Sequence, residues 1–361
     1  MRGIQVDPEN RTAQAQAGVL WGDLDRDAGA FGLATTGGVI SNTGIAGLTL
    51  GGGLGWLMGK HGLTIDNLLS VDVVTADGRF LKASESEKAD LFWGLRGGGG
   101  NFGIVTSFEY RLHPIAPLVL GGMVLHPLDK AREVLRFYRE FSSNIPDEAE
   151  AYAALVTSPE GDPAVALILG YNGPIDEGEK VLEPARKFGN PLADLVQPMP
   201  HAVRNTLMDE PGAIHGIERY WKSGFTDTIS DELIDVAVDA ASNFSSPLTQ
   251  IVFFQIHGAA TRVPSSETAF GLRGQKWDVN VLSQWTEAGE SERHTAWTRQ
   301  VWGKFEPLIS GAAYVNHIAG DDKPEKVRAS YGENYEKLVA LKDKYDPTNM
   351  FHLNPNVKPS G

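Results

Sequence analysis

The sequence predicts an α+β protein whose larger part is a mostly antiparallel sheet backed by helices. Three observations point there. Short alternating segments punctuated by turn signals fill residues 1–115. An apolar run, "TTGGVISNTGIAGLTLGGGLG", packs eight glycines into the 21 positions from Thr35 to Gly55. Beyond Pro114, longer strand-like runs alternate with amphipathic helices.

In chain order, "RTAQAQAGVL" alternates as a strand and "GDLDRDAGAFG" has the acidic start of a helix. "LLSVDVVTADGRFLKAS" sets two apolar runs about Asp77-Gly78, a hairpin signature, and "IVTSFEYRLHPI" is a further strand ending at Pro114. Past that boundary, "LDKAREVLRFYREFSSNIP" brings Leu128, Val134, Leu135 and Phe137 near one helical face, and "AYAALVTSPEGDPAVALILGY" reads as strand, turn, strand. "TQIVFFQIHGAATRV" and "KWDVNVLSQW" are two more strands, and "ESERHTAWTRQVWGKFEPL" is a helix. A last helix carries Tyr335, Leu338, Leu341 and Lys342 on one face. It should stop before Asp346-Pro347, because proline lacks the N–H and disfavours helical geometry in the residue before it.

Composition narrows the function classes. With 361 residues and 42% hydrophobic content the chain can bury a substantial core, and the length suggests two domains or one domain with a large insertion. A formal charge of −14 and the lack of any basic run argue against nucleic acid as a partner. With no cysteine, disulfides, thiolate metal sites, a catalytic thiol and a cysteinyl-linked cofactor are excluded. No stretch approaches the roughly 20 apolar residues of a membrane span, and "MRGIQVDPENRTAQAQ" lacks the pattern of a secretory signal, so no membrane partner and a cytoplasmic location are the expectation.

Most catalytic motifs are missing. The nine histidines form no H-E-x-x-H, no serine lies in G-x-S-x-G, and no carboxylates have ligand spacing, so no metal is expected. Gly98-x-Gly100-x-x-Gly103 matches a dinucleotide fingerprint, but a strand rather than the required helix follows it. "GLGWLMGKH" fails as a phosphate loop, with Leu54 in place of the first glycine and His61 in place of the metal-binding hydroxyl. Glycine density without those motifs suits a wall that lets backbone approach a ligand closely.

The run "SNTGIAGLTLGGGLGWL", then "KHGLTIDNLLSVDVVTADGR" and "ADLFWGLRGGGGNFGIVTSFEYRLHP", resembles the second lobe of the FAD-binding domain in the p-cresol methylhydroxylase and vanillyl-alcohol oxidase superfamily. The tail "YGENYEKLVALKDKYDPTNMFHLNPNV" resembles the C-terminal segment of its berberine-bridge-enzyme branch. The resemblance implies a second FAD lobe over 1–115, a substrate domain over 116–325, and a segment, 326–361, that returns to the first unit. It implies FAD as cofactor, a hydroxyl-bearing sugar, alcohol or secondary metabolite as substrate, and molecular oxygen as electron acceptor. By position, Thr35, Gly37, Gly38, Ser41, Gly44, Ile45 and Gly47 border the cofactor, Gly51, Gly52 and Gly53 permit close packing beneath it, and Val105 lies at the adenosine end. Asn354 and Asn356 match an element returning to the flavin ring, although Pro355 stands where the pattern often has Gln.

Departures from the family pattern set further expectations. Family members begin with a lobe that bears an Arg-x-x-Gly-Gly-His loop, and this chain aligns from inside the domain. The first lobe is therefore expected to be absent and the isolated chain poorly soluble. Ile40 stands where some relatives have a second, cysteinyl flavin anchor. On the expected strand Gln255–Val263, Gln255, His257, Ala259 and Thr261 share a face, and Thr261 occupies about the position of the berberine-type catalytic glutamate, so ring closure is not expected. Tyr331 is the first choice for the proton-accepting group, or else an aromatic that packs its segment onto the sheet. Asn280 either faces the flavin or is a satisfied polar residue, and His257 either binds substrate or is structural. A cofactor-free ligand-binding protein and a nicotinamide-dependent dehydrogenase stay open as other classes.

Overall fold

The computed structural model describes residues 1–158, 160–209, 216–274 and 277–361. Its first unit is built on the strands β1 (Ile4–Asp7), β2 (Thr12–Gln16), β3 (Leu33–Ala34), β4 (Leu68–Val74), β5 (Phe80–Ser84), β6 (Ile104–Arg111) and β7 (His113–Pro114). Five of these form an antiparallel sheet in the order β1-β2-β6-β4-β5, while β3 pairs with β7 alone. The β4–β5 hairpin turns at Asp77-Gly78, where Gly78 takes a φ of 79°. Alternation of β2 sends Ala13 and Ala15 inward and Gln14 outward. Helices Trp21–Gly29, Ile45–Leu50 and Ala89–Leu95 cover the inner face.

The second unit adds β8 (Val119–Pro127), β9 (Ala149–Thr157), β10 (Pro163–Tyr171), β11 (Ala193–Asp194), β12 (Gln197–Met199), β13 (Glu218–Thr226), β14 (Gln250–Gln255) and β15 (Trp277–Trp285). They make an eight-stranded sheet, β11-β8-β10-β9-β14-β15-β13 with β12 on β8, and every pairing is antiparallel. Its two faces divide the core. Ala151, Ala153, Leu155, Val165, Leu167 and Phe253 pack under helices Ala131–Ser142, Ile175–Lys187, Asp231–Ala241 and Ser291–Phe305. The residues between them, Tyr152, Ala154, Ala166, Ile168 and Val252, join the core of the first unit. Period-two patterning thus buries this sheet on both sides.

One expected strand is shorter than its sequence suggests. "TQIVFFQIHGAATRV" forms β14 only to Gln255, and Ala259–Arg262 is a helical turn. Gly258 reverses the chain with a φ of 60°, which an extended strand cannot hold. His257, Ala259 and Thr261 therefore do not share a strand face with Gln255. Of the last strand and its approach, Gln275 and Lys276 lie outside the described residues, as does Pro159 in the β9–β10 turn.

Polar contacts lock the two units together. The buried Glu150 carboxylate accepts the Gly59 N–H at 2.9 Å, Asn172 Nδ2 donates to Trp56 O at 2.7 Å, and Lys60 Nζ donates to Asn172 O. Asp25, on the first helix, accepts from Asn205 Nδ2. The final helix, Tyr335–Tyr345, ends at Tyr345 as proline chemistry dictates and lies against helix Ala89–Leu95. Its fully buried Lys342 donates to Asp346 at 2.7 Å and to the Asn101 and Phe351 carbonyls.

Candidate active site

A cleft of about 610 Å³ opens between the glycine run and the eight-stranded sheet. Ile40, Thr43, Gly44, Gly47 and Leu48 form one wall, and Arg219, Trp221 and Phe254 face them from β13 and β14. Tyr314, Asn316 and His317 close it from the turn that follows helix Ser291–Phe305.

His317 is held on several sides. Its Nδ1 lies 2.7 Å from Asp278 Oδ2, and a carboxylate accepts, so Nδ1–H donates and any lone pair of the ring is on Nε2. Asp278 is fully buried on β15, and its Oδ2 also accepts from Asn280 Nδ2 at 3.0 Å. Asn280 Oδ1 in turn accepts Trp221 Nε1–H at 2.7 Å, and the Trp221 ring stacks on His317 with centroids 4.5 Å apart. The closed loop Asp278–Asn280–Trp221–His317 fixes both the tautomer and the plane of the imidazole. Tyr314 is placed differently. Its oxygen accepts the Gly53 N–H at 2.8 Å and Asn316 Nδ2 at 2.7 Å, and burial pushes its pKa up to about 12, so it stays a neutral phenol.

The residues named from sequence fall in different surroundings. Gly44 and Gly47 line the cleft, with nothing within 4 Å of where a Cβ would stand. Others owe their character to neighbouring protein: a Cβ on Gly37 or Gly38 would meet the Trp21 ring or Leu48, on Gly51 Asn316, on Gly52 Phe270, and on Gly53 Thr64. Ser41 gives its amide and hydroxyl to Asp209, and Ile45 gives its amide to Val19 O, so neither amide is left for a cofactor. Gly99 N–H binds Leu50 O and Asn354 Nδ2 binds Gly100 O, which joins the run, the 97–103 loop and the tail into one track. Val105 packs inward on β6, paired with Val73.

The three catalytic candidates fall outside the cleft. Tyr331 ends helix Pro324–Tyr331 rather than facing a sheet. It is buried behind the 97–99 turn with its hydroxyl donated to Gly98 O at 3.2 Å, and burial, then the charge of Tyr335, raises its pKa away from that of a base. His257 lies by a separate pocket with Asp147 and Arg262. Burial opposes its charge, but Glu150, 3.4 Å away, and Asp147 outweigh that and hold it above the usual imidazole range. Asn280 stands one layer behind the cleft, where it orients Asp278 and Trp221. Sequence reasoning missed Asp278, Trp221, Tyr314, Asn316 and His317. Asp278 carried a signal, a carboxylate in the otherwise apolar "WDVNVL", two residues from Asn280 and hence on its face. His317 gave none.

Fold and cleft define an α+β protein with a glycine wall facing an eight-stranded antiparallel sheet. Residues 1–84 match the FAD binding domain family and residues 313–358 the family described as berberine and berberine like. A FAD-linked oxidoreductase of Dictyostelium discoideum is 30% identical over 99% of this chain and 78% of its own length. The (R)-6-hydroxynicotine oxidase of Paenarthrobacter nicotinovorans is 28% identical over 100% of this chain and 80% of its own. The solved 6-hydroxy-D-nicotine oxidase of Arthrobacter nicotinovorans superposes with a TM-score of 0.88 at 25% identity, over 99% of this chain and 81% of that one. A chitooligosaccharide oxidase shares the fold, with a TM-score of 0.84 at 23% identity over 100% of this chain and 81% of that one. The chain belongs to the berberine-bridge-like branch of the p-cresol methylhydroxylase and vanillyl-alcohol oxidase superfamily, and it is an FAD-dependent oxidoreductase.

The residues present fit that cofactor. Thr35 Oγ1, Asn354 Oδ1 and Asn356 Oδ1 are buried without a protein partner, and Gly44 and Gly47 leave backbone open to the cleft. Among the described residues no cluster of three metal-binding side chains occurs, and no helix is long and apolar enough to cross a membrane.

Proposed function

We propose that the protein oxidises a hydroxyl-bearing small molecule, with His317 taking the hydroxyl proton, and that molecular oxygen is the electron acceptor. The observation that carries this reading is the Asp278–His317 contact at the cleft, 2.7 Å long and backed by Trp221. When bound, FAD supplies the acceptor for the substrate's hydride. His317 Nε2 receives the proton, and the Asp278 carboxylate stabilises the imidazolium that results, the division of labour an oriented base requires. Trp221, Phe254, Ile40 and Leu48 exclude water and favour an aromatic or alicyclic alcohol over an open sugar face. In this reading residues 1–115 and the tail from 326 hold the cofactor, and 116–325 close over the substrate. The names of the relatives, oxidases of small molecules, support oxygen as the acceptor.

The test is anaerobic reduction of the protein-bound flavin by a panel of aromatic and alicyclic alcohols. His317→Gln should slow reduction about a hundredfold or more while the flavin stays bound. An unaltered reduction rate removes His317 from the reaction.

A further inference from the structure

We propose that the pocket between Lys60, His61 and His113, at the boundary of the two units, is a binding site for a compact hydrogen-bearing oxyanion, a phosphate group. The pocket is about 250 Å³, is also walled by Asn172 and Gly173, and shares no lining residue with the His317 cleft. It holds an excess of basic groups in a chain of net charge −14. The His61 and His113 rings stack with centroids 3.8 Å apart and planes within 6°, and Lys60 lies beside them. Among the described residues none of the lining side chains is acidic. The neighbouring carboxylate, Asp66, is engaged by two 2.7 Å bonds from Arg273 and by the Leu63 N–H.

That grouping is costly without a counter-charge. Burial, then His113 and Lys60, push the His61 pKa down to about 4, and burial, then Arg111 and Lys60, lower that of His113. An anion in the pocket offsets each of these repulsions.

Asn172 adds an independent pointer. Its amide nitrogen donates to Trp56 O at 2.7 Å, which fixes the flip, and its Oδ1 is buried behind the pocket lining with no protein partner. That oxygen needs a donor. The P–OH of a hydrogen phosphate supplies one while the remaining oxygens face the imidazoles and Lys60. A transition metal does not suit the pair, because in a parallel stack the ring lone pairs run side by side rather than converge. His113 Nε2 is also committed to Asn67 Oδ1 at 2.6 Å; Asn67 Nδ2 donates to the His61 and Leu63 carbonyls, so Nε2 carries the proton.

The experiment is a titration of the purified protein with inorganic phosphate at pH 5.5 and pH 8, followed by imidazole nitrogen NMR and by calorimetry in two buffers of different ionisation enthalpy. Saturable shifts of both His61 and His113 are expected, with proton uptake on binding and affinity at least about tenfold higher at pH 5.5. Phenyl phosphate distinguishes the source: competition marks a phosphomonoester site, and binding of inorganic phosphate alone marks a free-anion site. Either outcome supports the proposal. No saturable shift in the unaltered protein overturns it, and so does a His113 shift that persists unchanged in a folded Lys60→Gln, His61→Gln double variant.

Discussion

Asp278 lies out of reach of bulk solvent. Its carboxylate is fully buried, with one oxygen shared by His317 and Asn280 and the other without a protein partner. Replacing it by Asn keeps the volume but offers the ring an amide that can donate as well as accept, so the tautomer is no longer fixed. Asp278→Asn should therefore lower the rate of flavin reduction by about a hundredfold with KM little changed, measured by stopped flow. Asp25 gives a prediction of opposite character. Burial raises its pKa from 3.8 to about 7, against the opposing bond from Asn205 and the charge of Arg204. Between those values the folded chain binds a proton that the unfolded chain has released, so this contribution to stability is present at low pH and lost as pH rises through 7. Asp25→Asn should raise the melting temperature at pH 8, by an amount worth up to a few kcal/mol, and leave it nearly unaltered at pH 4. At this scale the sequence was only partly legible. Glycines such as Gly44 advertise a cleft because nothing else explains them. His317 acquires its role from residues 39 and 96 positions earlier in the chain, Asp278 and Trp221, which no local pattern connects.

At the scale of elements, hydrophobic periodicity identified the helices at 131–142, 291–305 and 335–345 and the hairpins β4–β5 and β9–β10. It passed over β8 and β13. "LVLGGMVLHP" is interrupted by two glycines, and "ERYWKSGFT" carries charges at 218, 219 and 222, of which Arg219 is bonded to Gln284 and Lys222 to Asp321 and Asp322. The extended reading of 256–263 failed because Gly258 turns the chain, and the same glycine makes a sensitive probe. A Cβ there would stand 2.3 Å from Gly59 O in a backbone conformation already at positive φ. Gly258→Ala should destabilise the fold by about 2 kcal/mol or more, visible as a lowered urea midpoint.

For the whole molecule, the tail is the decisive tie. Lys342 and Asp346 are both fully buried, and the lysine also satisfies two carbonyls, one in the 97–103 loop and one in the tail. Lys342→Met leaves Asp346 buried without its counter-charge and should cost about 3–5 kcal/mol, with faster proteolysis after residue 345 as the sign that the tail has come loose. The two-layer arrangement was readable from alternation of strands and helices, since both faces of the large sheet are apolar. Which strand neighbours which was not, because β14 and β15 pair across a connection whose helical turn the sequence hides. One contact also bears on how a dinucleotide must lie. The Asp209 carboxylate accepts both the amide and the hydroxyl of Ser41, in the glycine wall. In the proposed reading, an anionic group of a bound ligand would be disfavoured beside that carboxylate, and the stretch beside Ile40 and His317 would suit an uncharged portion of it.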